Sequence, residues 1–183
     1  GITLQARSTC QSHVITYGMD LYLDQVMSRR YWENASGTTA NNNLRGRYPD
    51  GAEYTSIGIF LQDDWQLASR WHVIGGLRWS GFSTDFENPG YESTLGNVSQ
   101  QFRALTGSIS LQHRVNEQAM VYVHVGQAFR APNLSDLAKL GESKGQIFEV
   151  PNYDLKPEKL MSYECGVRWI SSKIQAETQV FMS

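Results

Sequence analysis

No run of apolar residues in this chain approaches the roughly 20 needed for a membrane-crossing helix, so if it meets a bilayer it must do so with strands closed into a barrel. Cysteine is almost missing. Cys10 and Cys165 are the only two in 183 residues, too far apart for a metal-ligand spacing, so neither a disulfide framework nor a zinc site follows and a pair of inert thiols is expected. Charge of one sign is lacking as well: 16 basic residues face 18 acidic ones, which points to neither nucleic acid nor an anionic membrane surface as partner. The chain opens at Gly1-Ile2-Thr3-Leu4 with no basic segment followed by an apolar one, so it is read as mature, cytoplasmic, or cut from something longer. There is no Ser-His-Asp order with a nucleophile elbow, no phosphate-cradling glycine loop and no histidine pair at helical spacing. No enzyme, resident cofactor or metal centre is therefore expected.

What is present is alternation. Apolar residues make up 40% and aromatics 11%, with five Trp and nine Tyr gathered near the ends of predicted strands. Ile2 to Arg7 reads as the end of a strand before a polar turn at Ser8 to Ser12. His13 to Met27 separates Ile15, Tyr17, Met19, Leu21 and Leu23 from Thr16, Gly18, Asp20, Tyr22 and Asp24, a period of two that defines a strand. Tyr54 to Leu67 sets Ile57, Ile59, Leu61, Trp65 and Leu67 on one face, with Asp63 as the exception. Near a strand end, a lipid-facing charge costs only about 0–1 kcal/mol. Trp71 to Thr84, Phe102 to Arg114, Val121 to Val125, Ser162 to Trp169 and Ile174 to Met182 alternate likewise, giving about eight strands.

The connections alternate too: short at 8–12, 68–70, 115–118 and 171–173, long at 29–52, 87–101 and 129–157. Long loops thus lie at one end of the sheet and short turns at the other, the asymmetry of outer-membrane barrels, whose strands are apolar outward and polar inward. A soluble antiparallel sandwich also alternates, but its strands are usually about 5–6 residues long and nothing confines its long loops to one end. The fold expected is all-β: an antiparallel transmembrane barrel. Trp65, Trp71 and Trp169 near the short turns suit an interfacial girdle.

Within the 129–157 excursion, Pro132 ends the outgoing strand and keeps Ala131 extended, Asn133 is a helix cap, and Leu134, Leu137 and Leu140 recur at helical spacing before Gly141. Gly126 to Pro132 (GQAFRAP), Asn152 to Glu158 (NYDLKPE) and Tyr163 to Arg168 (YECGVR) together resemble the strand, loop and strand segment of TonB-dependent outer-membrane receptors; Gly58 to Trp65 (GIFLQDDW) and Gly76 to Trp79 (GLRW) resemble the preceding hairpin of that family. The resemblance spans nearly the whole chain. Its motif positions include Phe129, Arg130, Ala131, Pro132, Asn152, Leu155, Pro157 and Glu158, while Tyr153 stands where a proline is common and Cys165 where a leucine is usual.

The resemblance implies a large barrel of about 22 strands, closed by an N-terminal plug that contacts TonB and importing ferric siderophores, haem, cobalamin or related ligands across the bacterial outer membrane. Residues 1–183 then form part of the barrel's later portion, the plug absent, in contact with outer-membrane lipid. Haem receptors of the family carry a histidine between the two loop motifs, and Asn133 to Pro151 contains none. A ferric siderophore is the ligand expected, met by guanidinium and aromatic faces among Arg29, Arg30, Tyr31, Trp32, Arg45, Arg47, Tyr48, Tyr91 and Arg130. Haem, cobalamin, a passive porin-like barrel and a sandwich binding module are the alternatives. Inward Asp20, Asp24, Arg78, Glu164 and Arg168 either line a substrate path or pair with one another.

Overall fold

Residues two apart on an extended chain share a face, so the alternation above becomes a sheet with one apolar and one polar side. The computed structural model describes residues 1–87, 96–142 and 147–183, leaving aside the side chains at 32, 39–45 and 142. Its elements are β1 (Ile2–Cys10), β2 (His13–Val26), β3 (Arg29–Glu33), β4 (Thr39–Arg45), β5 (Ala52–Ala68), β6 (Trp71–Glu87), β7 (Asn97–Arg114), β8 (Ala119–Arg130), α1 (Leu134–Ala138), β9 (Gly141–Glu142), β10 (Phe148–Glu149), β11 (Glu158–Ile170) and β12 (Gln175–Met182). Eight strands form one sheet in the order β1-β2-β5-β6-β7-β8-β11-β12, each antiparallel to its neighbours. The two small hairpins β3–β4 and β9–β10 sit inside the long connections.

The sheet is open, and nothing among the described residues covers its odd-numbered face from β2 to β11. Leu105, Leu77 and Ile109 are 67%, 57% and 56% exposed. A sandwich would bury this face against a second sheet, so the sandwich alternative is corrected by the exposure itself. β5 and β6 have 17 residues and β7 has 18, far beyond the usual sandwich strand. From Trp71 to Trp79, at about 3.4 Å per residue and a tilt of about 40°, β6 climbs roughly 20 Å, close to the height of a barrel's apolar band.

Above that band the pattern changes phase. On β6 the odd positions become polar at Ser83, Asp85 and Glu87 while Phe82 and Phe86 turn apolar on the even face. On β7 the same exchange sets Ser99, Gln101 and Arg103 against Val98 and Phe102. This is why strands expected to stop at Thr84 and to start at Phe102 run on to Glu87 and back to Asn97. The even-face apolar residues Ala52, Phe86, Val98 and Phe102 join Ala131, Leu134, Leu137 and Ala138 in the one buried cluster among the described residues, which places residues 131–138 on the inner side of the wall at its long-loop end.

Other expectations shift locally. The connection 29–52 contains the β3–β4 hairpin, hidden from the sequence because its pairing is irregular between Arg30 and Glu33 and breaks the period of two. The first turn is confined to Gln11 and Ser12, with β1 running to Cys10 and Gln11 at φ 53°. Helix α1 ends at Ala138 with an extended Lys139, so Leu140 lies beyond it; the Leu140 amide instead donates to the Arg47 carbonyl at 3.0 Å. Cys10 and Cys165 are free and exposed. Asp63 has a partner that the sequence did not disclose: His13 Nδ1 lies 2.8 Å from its Oδ2, and the His13 ring stacks on Trp65 at 5.4 Å.

Candidate functional site

The even-numbered face carries the polar side chains that a water-filled interior requires. Asp20 on β2 and Arg78 on β6 are separated by β5, yet Arg78 Nη1 and Nη2 donate to the two Asp20 carboxylate oxygens at 2.9 Å each. The span is open because residue 58 of the intervening strand has no side chain. A Cβ on Gly58 would stand 2.0 Å from Arg78 Nη2 and 2.7 Å from Asp20 Oδ2. Arg78 Nε also donates to Ser80 Oγ at 3.0 Å. A planar guanidinium meeting a carboxylate with two parallel bonds is the strongest of the ordinary charged pairs.

A second network repeats the device on β8, β11 and β12. The Tyr122 ring lies across Gly166, where a Cβ would come within 2.7 Å of it. Its hydroxyl donates to Glu164 Oε1 at 2.8 Å and stands 3.2 and 3.1 Å from Glu177 Oε1 and Gln179 Oε1. Arg168 grips Glu177 through Nε and Nη2, both at 3.1 Å. Four of the five inward charges singled out in the sequence, Asp20, Arg78, Glu164 and Arg168, are therefore engaged with partners across strands. These contacts tie the wall together and leave it hydrogen-bonded toward the interior.

At the long-loop end the excursion between β8 and β11 is clasped at several points. Arg130 Nη2 donates to Asp136 Oδ2 at 2.7 Å and Nη1 to Glu158 Oε1 at 2.9 Å, joining the outgoing strand, helix α1 and the returning strand. Asn133 and Asp136 form a reciprocal capping box. Phe129 approaches Phe82 to 5.9 Å, Ala131 is buried, and Leu155 packs against the cluster. The Asn152 amide donates to the Leu137 carbonyl at 3.0 Å, and its Oδ1 accepts from the Asp154 amide at 3.1 Å. Pro157 is half-buried. Tyr153, the departure from the motif, lies 6.0 Å from Phe86.

A second clasp reaches the preceding long connection. Glu149 receives Lys139 Nζ at 2.6 Å and Arg47 Nη2 at 3.4 Å. The ammonium hydrogen bond holds the Glu149 carboxyl below the ordinary carboxylate range, against the effect of burial and with help from Arg47. The Tyr48 hydroxyl is 3.3 Å from Ser135 Oγ, within hydrogen-bond reach. Of the residues the sequence proposes for ligand contact, Arg47, Tyr48 and Arg130 thus converge on one loop. Tyr31 is exposed on β3, Trp32 sits opposite Asn41, and Arg45 sits opposite Arg29 on the β3–β4 hairpin. Tyr91 lies outside the described residues. Sequence reasoning missed Asp136, Lys139 and Glu149; the Asn-x-x-Asp spacing that begins α1 was the one local signal for the first of them. Among the described residues no group of three or more His, Cys, Asp or Glu side chains could hold a metal ion.

The family model described as "TonB dependent receptor-like, beta-barrel" matches residues 2–183. Several solved structures are similar to the chain. One is the copper transporter OprC, at 21% identity and a TM-score of 0.79 over 98% of this chain and 28% of that one. Another is the Serratia marcescens hemophore receptor HasR in complex with its hemophore HasA and heme, at 14% identity and a TM-score of 0.69 over 98% and 31%. A third is the ferric yersiniabactin uptake receptor FyuA from Yersinia pestis, at 15% and 0.63 over 98% and 27%. At these identities the likeness shows the fold. The chain spans 27% to 31% of the length of these proteins.

Proposed function

The chain belongs to the TonB-dependent receptor β-barrel family, and from that premise we propose that it is part of the barrel wall of an outer-membrane import receptor that takes up a ferric siderophore. The whole receptor closes this wall around a plug, and TonB bound to that plug supplies the energy for uptake. The observation that carries the ligand class is the long-loop rim. Guanidinium groups of Arg47 and Arg130 and the phenols of Tyr31 and Tyr48 stand there on and beside a loop packed over the inner wall. Trp32, Arg45 and Tyr91 complete the proposed contact set. Such groups suit an anionic, aromatic iron chelate, because a guanidinium offers five donors in a fixed fork and also stacks on rings. In the described rim, Arg47 and Arg130 each pair with carboxylates yet remain about half exposed, at 47% and 52%. Each therefore presents about half of its side chain to solvent, within a ligand's reach.

Absence of histidine from Asn133 to Pro151 favours a siderophore over haem, since no imidazole of that loop is there to ligate a haem iron. The test is growth of a receptor-deleted strain, complemented by the full-length receptor carrying this segment, on single sources of iron as ferric siderophores or haem, with copper and cobalamin uptake followed in parallel. Rescue by one or more ferric siderophores, abolished when TonB is deleted, is the expected result. Rescue by haem alone, transport of copper or cobalamin in place of iron, or uptake independent of TonB would overturn the reading.

A further inference from the structure

The β7–β8 ladder runs from Arg114↔Met120 to Ser108↔Gly126 and stops there, although both strands continue. On either side the pairing persists: β6–β7 reaches Glu87↔Asn97, and β8–β11 reaches Glu158↔Arg130. The wall is therefore split above Gly126. A cavity of about 390 Å³ occupies the split, lined by Arg103, Leu105, Phe129, Lys159 and Met161 among others. Through Gln127 and Met161 it continues into a second concavity of about 490 Å³ lower on the outward face. That lower trough exists because Gly75 and Gly107 provide its floor; nothing lies within 4 Å of a Cβ placed on Gly75. Leu61, Leu77, Ile109 and Val125 make its sides.

The two ends of this continuous groove differ in chemistry. The trough is apolar except for Asp63, whose carboxylate pairs with His13 at 2.8 Å, and lies at the depth of the outward apolar band. The split lies where that face turns polar, and it holds two cations. Arg103 makes one long hydrogen bond, to Gln101 Oε1 at 3.5 Å, and neither Arg103 nor Lys159 has a carboxylate partner among the described residues. Two cations without a carboxylate partner among the described residues, set above a largely apolar trough, complement an amphiphile with an anionic head. A phosphate is the head that a guanidinium fork and an ammonium bind best. Long loops face outside in such barrels, so the lipid available at this end belongs to the outer leaflet.

We propose that this groove is a binding site for a phosphorylated, acylated glycolipid of the outer leaflet, with an acyl chain over Gly75 and Gly107 and a phosphate between Arg103 and Lys159. The site rests on the outer-membrane reading but not on the identity of the imported ligand. An extended peptide pairing with the open edge of β7 is the competing occupant, and it has no use for a trough at bilayer depth.

The full-length receptor, delipidated in detergent, would be titrated with bisphosphorylated lipid A, its phosphate-free form and phosphatidylglycerol, and binding followed by native mass spectrometry. Lipid A is expected to bind one-to-one, at least about tenfold more tightly than the other two. Arg103→Gln with Lys159→Gln should weaken it about tenfold, as should Gly75→Leu, which fills the trough. Iron uptake by these variants should stay at the wild-type rate, which separates failure here from failure of the import reading. Equal binding of the phosphate-free lipid or of phosphatidylglycerol, undiminished binding by folded variants, or capture of a peptide in the split would overturn the proposal.

Discussion

Gly58 governs whether two charges can meet across an intervening strand. Asp20 and Arg78 stand 58 positions apart in the chain, and their bidentate pair passes over the spot where any other residue would place a Cβ. Gly58→Ala should therefore push the guanidinium away and leave Asp20, the more buried partner, without its counter-ion. A loss of about 1–3 kcal/mol is expected, the worth of hydrogen bonds to charged groups in a partly buried setting, read as a lowered thermal midpoint of the full receptor. Gly75→Ala is the control. Its Cβ meets nothing, and the change should stay within about 0.5 kcal/mol. That Asp20 and Arg78 point inward was legible from parity alone. Their pairing was not, because the alignment of three successive strands is set by hydrogen-bond register. The His13–Asp63 pair was hidden for the same reason: Asp63 reads as an isolated misfit until β2 is laid beside β5.

The excursion between β8 and β11 behaves as an element with its own small core. Leu137 is fully buried within it, and Leu137→Ala should cost the loop about 2–5 kcal/mol by removing apolar contacts and leaving a cavity. Limited proteolysis of the intact receptor should then cut within 131–157 while the strands stay protected. The Glu149 clasp adds a pH dependence. Because Lys139 holds this carboxyl below its usual range, its contribution is complete above the unfolded value of about 4.3 and is lost as pH falls through the lower folded value. Protease susceptibility of the loop should rise as pH drops below about 4, and Lys139→Met should leave it raised and flatter across that window. The two motifs that flank the loop, with Arg130, Ala131 and Leu155, were visible in the sequence, and they serve to fasten it. The β3–β4 hairpin was not visible, since bulged pairing erases the period on which such recognition depends.

At the scale of the whole molecule, the sheet is a wall with two chemically opposite faces. Eight strands, their order and the outward apolar face follow from alternation and from the placing of long and short connections. The strand ends do not, because outward and inward chemistry exchange places where β6 and β7 rise above the apolar band. As the wall of an outer-membrane barrel, the sheet should set odd positions against lipid and even positions against water within that band. This arrangement is tested most directly by spin labels placed singly at 105–111 on β7 of the full receptor in bilayers, with Cys10 and Cys165 replaced. Oxygen accessibility should peak at Leu105, Gly107, Ile109 and Leu111, and accessibility to a water-soluble nickel chelate at Thr106, Ser108 and Ser110. A profile without a period of two, or with the chelate reaching the odd positions, would contradict it.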